Sequence, residues 1–380
     1  MPYRYEILKN NTQRVSLVSF HRVFSIKPKL NYPDVDDRGF FRPEIAGFNP
    51  DQADVKLGVD RGPVVGVTED TTVFVELRRD QIAFNAPLFV TSSDPAVMRV
   101  SIPVKKIASN KNSPASEKLY DSIDQEIQIT GVKGGGGVLP NVAKVEVRYG
   151  SNQGPVIGEL TVYVFTPFHI NVVPHLVNLS GPRGYSVSYI FDVNPIFEMV
   201  RAIWQPCGID FFVGAPENEF MPSNMNEVGK WKYPESDSMI KQAKRHHPDA
   251  INIYFVDDVV SDHDVIAYTD RPGRRLFKRC IIAKTDVVTE ESLALTLAHE
   301  IGHFLDLSHT DKTKGTNARE DIWAERRYLM HPLIGYGILN PGLVTMKDLF
   351  DKNNPTVNHT TDPEWLTARR TVNSKEGPYK

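Results

Sequence analysis

The sequence predicts two folded units in series, an all-β sandwich followed by an α+β unit with a mixed, twisted sheet and one buried helix. Three observations predict this. Between about residues 51 and 166, apolar and polar residues alternate in roughly seven short runs, as strands with one face in water require. After residue 167 the texture changes to apolar runs interleaved with helical patterns. Near residues 290–305 apolar side chains occupy most of a helix's circumference, which marks a helix buried on nearly every side.

Residues 1–50 carry scattered apolar positions, Pro28, Pro33, Pro43 and the acidic turn Asp34–Asp37. They read as an N-terminal extension of loops and short strands. The runs that follow are Val64–Val67, Thr72–Leu77, Ala86–Val90, Ala96–Ile102, Glu126–Thr130, Ala143–Tyr149 and Gly158–Phe165. Gly, Pro, Asn and Ser turns separate them, so residues 51–166 are expected to form an immunoglobulin-like sandwich. Gly134–Gly137 reads as a flexible hairpin tip, because no Lys-Ser/Thr and helix follow it as a phosphate cradle would need.

Residues 167–380 form the second unit. His169–Val173, Ile209–Val213, Ile251–Val256 and Arg279–Ala283 read as strands. Asn194 as N-cap and Pro195 at the first helical position open a helix with Ile196, Met199, Val200, Ile203 and Trp204 on one face. A second helix is expected over Ser236–His246. Thr289, followed by Glu290 and Glu291 where a helix dipole favours anions, opens the buried one. Asp362–Leu366 begins a last helix, with Trp365 expected in the core.

Composition bounds the function. With 44 Lys+Arg against 47 Asp+Glu the net charge is -3, which gives no long-range attraction for nucleic acid or an anionic membrane. No run reaches the roughly 18 apolar residues of a spanning helix. Met1–Glu6 carries charge where a signal peptide needs an apolar core, so the usual export route is not expected; localisation stays open, with delivery outside the cell by another route favoured over the cytoplasm. Two cysteines, Cys207 and Cys280, are too few for a disulfide framework.

Residues 299–309 read His-Glu-Ile-Gly-His-Phe-Leu-Asp-Leu-Ser-His. Four residues apart on a helix, His299 and His303 stand on one face roughly 6 Å apart, so both imidazoles reach one ion. Glu300 lies about 100° around the helix, beside the metal position, where a base for an activated water belongs. Two histidines and a glutamate in so apolar a helix need partners, and a cation supplies them. His309 reaches the same ion only if the helix stops and the chain turns back near Asp306. Asp tolerates the left-handed conformation that such a turn demands.

These residues resemble the metzincin zinc peptidases, whose signature is His-Glu-x-x-His-x-x-Gly-x-x-His with a methionine-containing turn downstream. The resemblance covers about residues 167–380. It implies a zincin fold, one catalytic Zn²⁺ on His299, His303 and His309, Glu300 as general base, and Tyr328–Pro332 as the turn with Met330 as its methionine. Asp306 stands where the family carries Gly. A gluzincin-like arrangement, with Glu320 or Glu325 as third ligand, is the alternative. The family binds its substrate along an edge strand, for which Cys280–Ala283 is the candidate, placing Ile281, Ile282 and Ala283 at the cleft with His331 and Tyr336. The implied activity is zinc-dependent endopeptidase action on protein or peptide. The alternatives are an adhesin or effector whose sandwich binds a cell-surface glycan or protein, and a peptidoglycan hydrolase.

Other residues carry duller readings. His246 and His247 sit before Pro248 at a helix end, where cations complement the dipole, and with His263 they are set aside as a second metal site. Asp257, Asp258, Asp262 and Asp264 lack the spacing of a Ca²⁺ loop and read as a solvated turn, so structural Ca²⁺ is unsupported. Cys207, in a Pro-Cys-Gly-Ile-Asp segment similar to a metzincin cysteine switch, reads as a buried thiol or a bridge to Cys280.

Overall fold

The computed structural model describes residues 18–22, 47–48, 64–79, 88–102, 123–180, 192–222, 231–232, 245–256, 259–260, 267–270, 280–285, 289–309, 329–330, 345–346 and 364–374. It is mostly β-sheet, with α-helices over three described segments.

The first strands are β1 (Val18–Arg22), β2 (Gly47–Phe48), β3 (Val64–Thr68), β4 (Thr72–Arg79), β5 (Leu88–Ser92), β6 (Met98–Ser101), β7 (Ile123–Gly131), β8 (Asn141–Tyr149) and β9 (Val156–Phe165). Each of the seven alternating runs falls on one of β3 to β9. They build two four-stranded sheets, ordered β1-β4-β7-β6 and β3-β9-β8-β5. The alternation does the packing: in β8, Ala143, Val145 and Val147 point inward while Lys144, Glu146 and Arg148 do not. Val65, Val75, Ile129, Val145 and Val162 meet in one core between the sheets. Strand β1 comes from the expected N-terminal extension. It pairs antiparallel with β4, Phe20 opposite Leu77, so the sheet's outer strand lies upstream of residue 51.

The glycine run is not a free tip. Gly134 and Gly135 are buried, and a Cβ on either would collide with the backbone of Thr166 or of Leu139. Bare backbone is needed there because the loop docks against the end of β9, where Gly135 bridges Phe165.

The second unit holds β10 (Phe168–Ser180), β11 (Ile209–Val213), β12 (Glu217–Pro222), β13 (Trp231–Lys232), β14 (Ile251–Val256), β15 (Val259–Val260), β16 (Ala267–Asp270), β17 (Cys280–Lys284) and β18 (Thr345–Met346). Its main sheet is mixed, in the order β11-β10-β14-β17-β16, with β12 also paired to β10. Only the β16–β17 pairing in it is antiparallel. The short strands pair as β13 with β15 and β18 with β2. Every residue of β14 is buried, as a strand covered on both faces must be.

Helix α1 (Val193–Trp204) starts earlier than its sequence suggests. Asp192 is the N-cap, accepting from the backbone N–H of Asn194 at 3.0 Å, because its carboxylate answers a first-turn donor and Pro195 then falls within the first turn. A 3-10 turn over Gln205–Cys207 ends at Gly208, whose φ of 71° suits glycine. Helix α2 (Glu290–Phe304) begins where expected, with Thr289 Oγ1 accepting from Ser292 N–H at 3.1 Å. Trp204 joins the two helices by donating Nε1–H to Ala298 O at 3.3 Å. Helix α3 (Glu364–Asn373) buries Trp365 against Tyr163 and Phe165 at the end of β9. The expected helix at Ser236–His246 lies largely outside the described residues, and 245–250 are turns.

Arg369 of α3 ties the units together. Fully buried, it donates to Val138 O, Gly137 O, Thr166 O, Cys207 O and Gly208 O at 2.7–3.0 Å. Its guanidinium also lies over the rings of Phe165 and Phe168, at 4.8 and 4.1 Å. A buried cation survives only when its donors are answered this fully. Cys207 and Cys280 are both buried and form no disulfide, which settles the choice against a bridge, and burial pushes the Cys207 thiol up to about 12. Among the described residues no helix is long and apolar enough to cross a membrane.

Candidate metal centre

The centre is built at the C-terminal end of α2. Residues Leu293–Gly302 of this helix are buried without interruption, so His299 and Glu300 sit at 5% and 7% exposure and His303 is half-buried. The helix then stops abruptly. Asp306 adopts φ 67°, Asp306 N–H bonds His303 O at 3.1 Å, and Leu307 N–H bonds Gly302 O at 2.9 Å. This is a Schellman closure with aspartate in the left-handed position usually held by glycine. Its consequence is the reversal that the third imidazole requires.

His309 returns to the helix. Its Nε2 lies 3.2 Å from Nε2 of His299 and 3.0 Å from Nε2 of His303. The outer nitrogens of the two helical rings face carbonyls: His299 Nδ1 lies 2.7 Å from Leu329 O, and His303 Nδ1 lies 2.9 Å from Leu307 O. A carbonyl only accepts, so both Nδ1 atoms carry the proton and each Nε2 of a neutral ring presents a lone pair. Two such lone pairs converge on Nε2 of His309, and a cation between the three nitrogens would answer them together. The triad can therefore hold a metal ion, and the carbonyl partners fix ring orientation as supporting contacts to metal-bound histidines do.

Met330 packs under this helix. Both Leu329 and Met330 are fully buried in a turn, and a Cβ at Gly302 would overlap the Met330 sulfur. The glycine between the histidines is thus a contact requirement, invisible in helical periodicity.

Glu300 is held from a different direction. Thr269 Oγ1, on β16, donates toward Glu300 Oε2 at 2.6 Å and Glu300 O at 2.7 Å. Sequence reasoning missed Thr269. No strand is evident in Ala267–Asp270, and the contact spans 31 positions.

The substrate-strand expectation is corrected. Strand β17 lies between β14 and β16, and Ile281, Ile282 and Ala283 are fully buried. They line no cleft, because an uninterrupted apolar run belongs in the middle of a sheet covered on both faces. The outer strand on that side among the described residues is β16. His331, Tyr336, Glu320, Glu325, His263, Asp257, Asp258, Asp262 and Asp264 lie outside the described residues. His246 Nδ1 meets Tyr254 Oη at 3.0 Å, and the half-exposed His247 places Nε2 3.1 Å from Glu217 Oε1.

No known protein-family profile matches this chain. No curated protein matches it either. Among solved structures, domains 5–6 of the S-layer protein SbsC share 16% identity over 28% of this chain and 42% of that chain, at a TM-score of 0.18. Domains 4 and 5 of SbsC share 19% identity over 28% of this chain and 49% of that one, at 0.17. A Photobacterium 2,6-sialyltransferase aligns with 82% of this chain and 57% of its own at 9% identity and 0.18. This chain spans less than half of either SbsC fragment. Similarities this slight establish neither the architecture nor the chemistry, which rest on the residues above.

Proposed function

We propose that this chain is a zinc-dependent endopeptidase of the metzincin type, with an immunoglobulin-like sandwich before its catalytic unit. The observation that carries the reading is the convergence of the three Nε2 atoms beside a buried glutamate on the same helix. Two of the N···N separations, 3.0 and 3.2 Å, are close to the edge of roughly 3.3 Å expected of a tetrahedron with zinc–nitrogen bonds of roughly 2.0–2.1 Å. Three neutral imidazoles also suit zinc better than calcium or magnesium, which favour oxygen. The methionine turn packed under the helix adds a second element of the family pattern.

When bound there, zinc supplies an acidified water and a polarised carbonyl at neutral pH. The chain's own residues do the rest. His299, His303 and His309 would hold the ion, and the carbonyls of Leu329 and Leu307 keep Nε2 of His299 and of His303 aimed at it. Glu300 takes a proton from the attacking water and returns it to the leaving amine. Thr269 fixes one oxygen of that carboxylate, so the base is aligned before substrate arrives. Strand β16, beside the centre through Thr269, takes over from Cys280–Ala283 as the edge against which an extended peptide adds by main-chain hydrogen bonds.

The test is cleavage of a complex peptide mixture, read by mass spectrometry with and without chelator. The zinc-loaded chain should cleave, and chelation should stop it. Glu300→Gln should retain one zinc at the triad yet lose about 100- to 10,000-fold in turnover, the usual share of a general base. Undiminished cleavage by that variant would remove Glu300 from the mechanism, and no cleavage by the zinc-loaded native chain would remove the activity.

A further inference from the structure

A second cluster of metal-ligating side chains lies on the sheet, with no residue in common with the 299–309 site. His175 of β10 stands opposite Glu217 of β12 on one side and Tyr254 of β14 on the other. Residues two apart on a strand share a face, so Glu217 and Glu219 flank the His175 ring together. His175 is fully buried and Glu219 is 2% exposed. One ligand atom from each of the three residues falls within 4.8 Å of the other two.

The protonation pattern of this cluster follows from Asn252. Its Nδ2 donates to His247 O at 2.6 Å and Ala250 O at 3.1 Å, which fixes Oδ1 as the acceptor. That oxygen accepts from His247 N–H at 2.9 Å and lies 2.9 Å from His175 Nε2. Nε2 must therefore carry the ring proton. In the neutral ring Nδ1 is then a bare lone pair. It is buried, it has no hydrogen-bond partner, and Glu219 Oε1 stands 3.5 Å away. Glu217 Oε2 is likewise buried without a partner, while its Oε1 meets His247 Nε2 at 3.1 Å.

Acceptors thus face acceptors in a largely buried site. A proton on Nδ1 would answer at most one of them, and 3.5 Å is long for an N–H···O bond. A divalent cation answers all three at once and balances two carboxylates.

We propose that His175 Nδ1, Glu217 and Glu219 bind a second divalent cation, of the first-row class that accepts one imidazole and two carboxylates. Zinc and manganese take this mixed donor set, whereas calcium and magnesium prefer oxygen throughout. The ring is held ready: Tyr254 stacks on it at 4.5 Å and 16°, and Asn252 locks its tautomer. His247 orients Glu217 in the way supporting partners orient carboxylate ligands. The ion joins two neighbouring strands across their pairing, so its role is to pin β12 to β10.

The experiment is a calorimetric titration of the chelator-stripped full chain with zinc and, separately, manganese, with elemental analysis after dialysis. The native chain should show two classes of site and retain two equivalents of zinc. His309→Ala should lose the first class and keep the second, which separates this proposal from the peptidase reading. Glu219→Gln, which preserves shape, should weaken the second class on the order of 100-fold or more, at or beyond what loss of a supporting partner costs, while the triad site is untouched. Thermal melting of His309→Ala should rise with added cation and that of His309→Ala/Glu219→Gln should not. A native chain whose bound cation is lost entirely in His309→Ala overturns the proposal. So does a second class indifferent to Glu219→Gln.

Discussion

Met330 lies against Gly302 so closely that even a methyl group at 302 would overlap its sulfur. The adjacent carbonyl, Leu329 O, is the partner of His299 Nδ1 at 2.7 Å. Packing under the helix and aim of the first imidazole are therefore one structural feature. Gly302→Ala should push the turn and the helix apart, cost about 1–3 kcal/mol as overpacking does, and weaken cation retention at the triad. Urea midpoints and bound-metal content read both effects. Met330→Ala in the same chain should recover part of the retention, and additive losses in that double mutant would show that the two residues do not act together.

Thr269 acts through Glu300. Thr269→Val keeps the shape and removes the hydroxyl 2.6 Å from the carboxylate. A hydrogen bond to a charged group contributes about 1.5–3 kcal/mol, so under the peptidase reading kcat should fall about 10- to 100-fold. KM and zinc content should hold, and Thr269→Ser should restore most of the rate. Equal losses in Thr269→Ser and Thr269→Val would assign the residue to packing instead.

The parts of this site that were legible in the sequence are those set by local geometry. The spacing of His299 and His303 is helical arithmetic, and the need for a reversal before His309 follows from rise per residue, which the left-handed Asp306 satisfies. Thr269 depends on how β16 pairs with β17, a contact no local pattern encodes. The Cys280–Ala283 run illustrates the same limit: its apolar content correctly marks a strand, yet position within the sheet is decided by β14 and β16 on either side. His175 meets Glu217 and Glu219 only through a parallel register joining segments about forty positions apart. In Thr367–Thr371 neighbouring arginines look alike as sequence, but Arg369 is buried and Arg370 exposed, a distinction made by the carbonyls of two other segments.

Arg369→Met should destabilise the whole chain rather than α3 alone. The substitution keeps apolar bulk and strips the partner from five carbonyls drawn from both units. Losing one partner of a buried charged network costs about 3–5 kcal/mol. Calorimetry should show a lower melting temperature and, because these bonds couple the sandwich to the second unit, a transition that broadens or splits. A melting curve matching the native one would show that the guanidinium is dispensable.

Asp306 occupies a conformation in which a Cβ costs about 1–2 kcal/mol, at the one turn that brings His309 back to the helix. Its carboxylate Oδ2 accepts from Thr371 Oγ1 of α3 at 3.3 Å, a long and exposed contact worth less than that strain. Asp306→Gly should therefore raise stability by about 1 kcal/mol and leave cation binding intact, whereas Asp306→Val, branched at Cβ and unable to bond locally, should lower both. If glycine weakened binding as much as valine did, the aspartate would be holding His309 through its side chain, and the turn would not be the controlling feature.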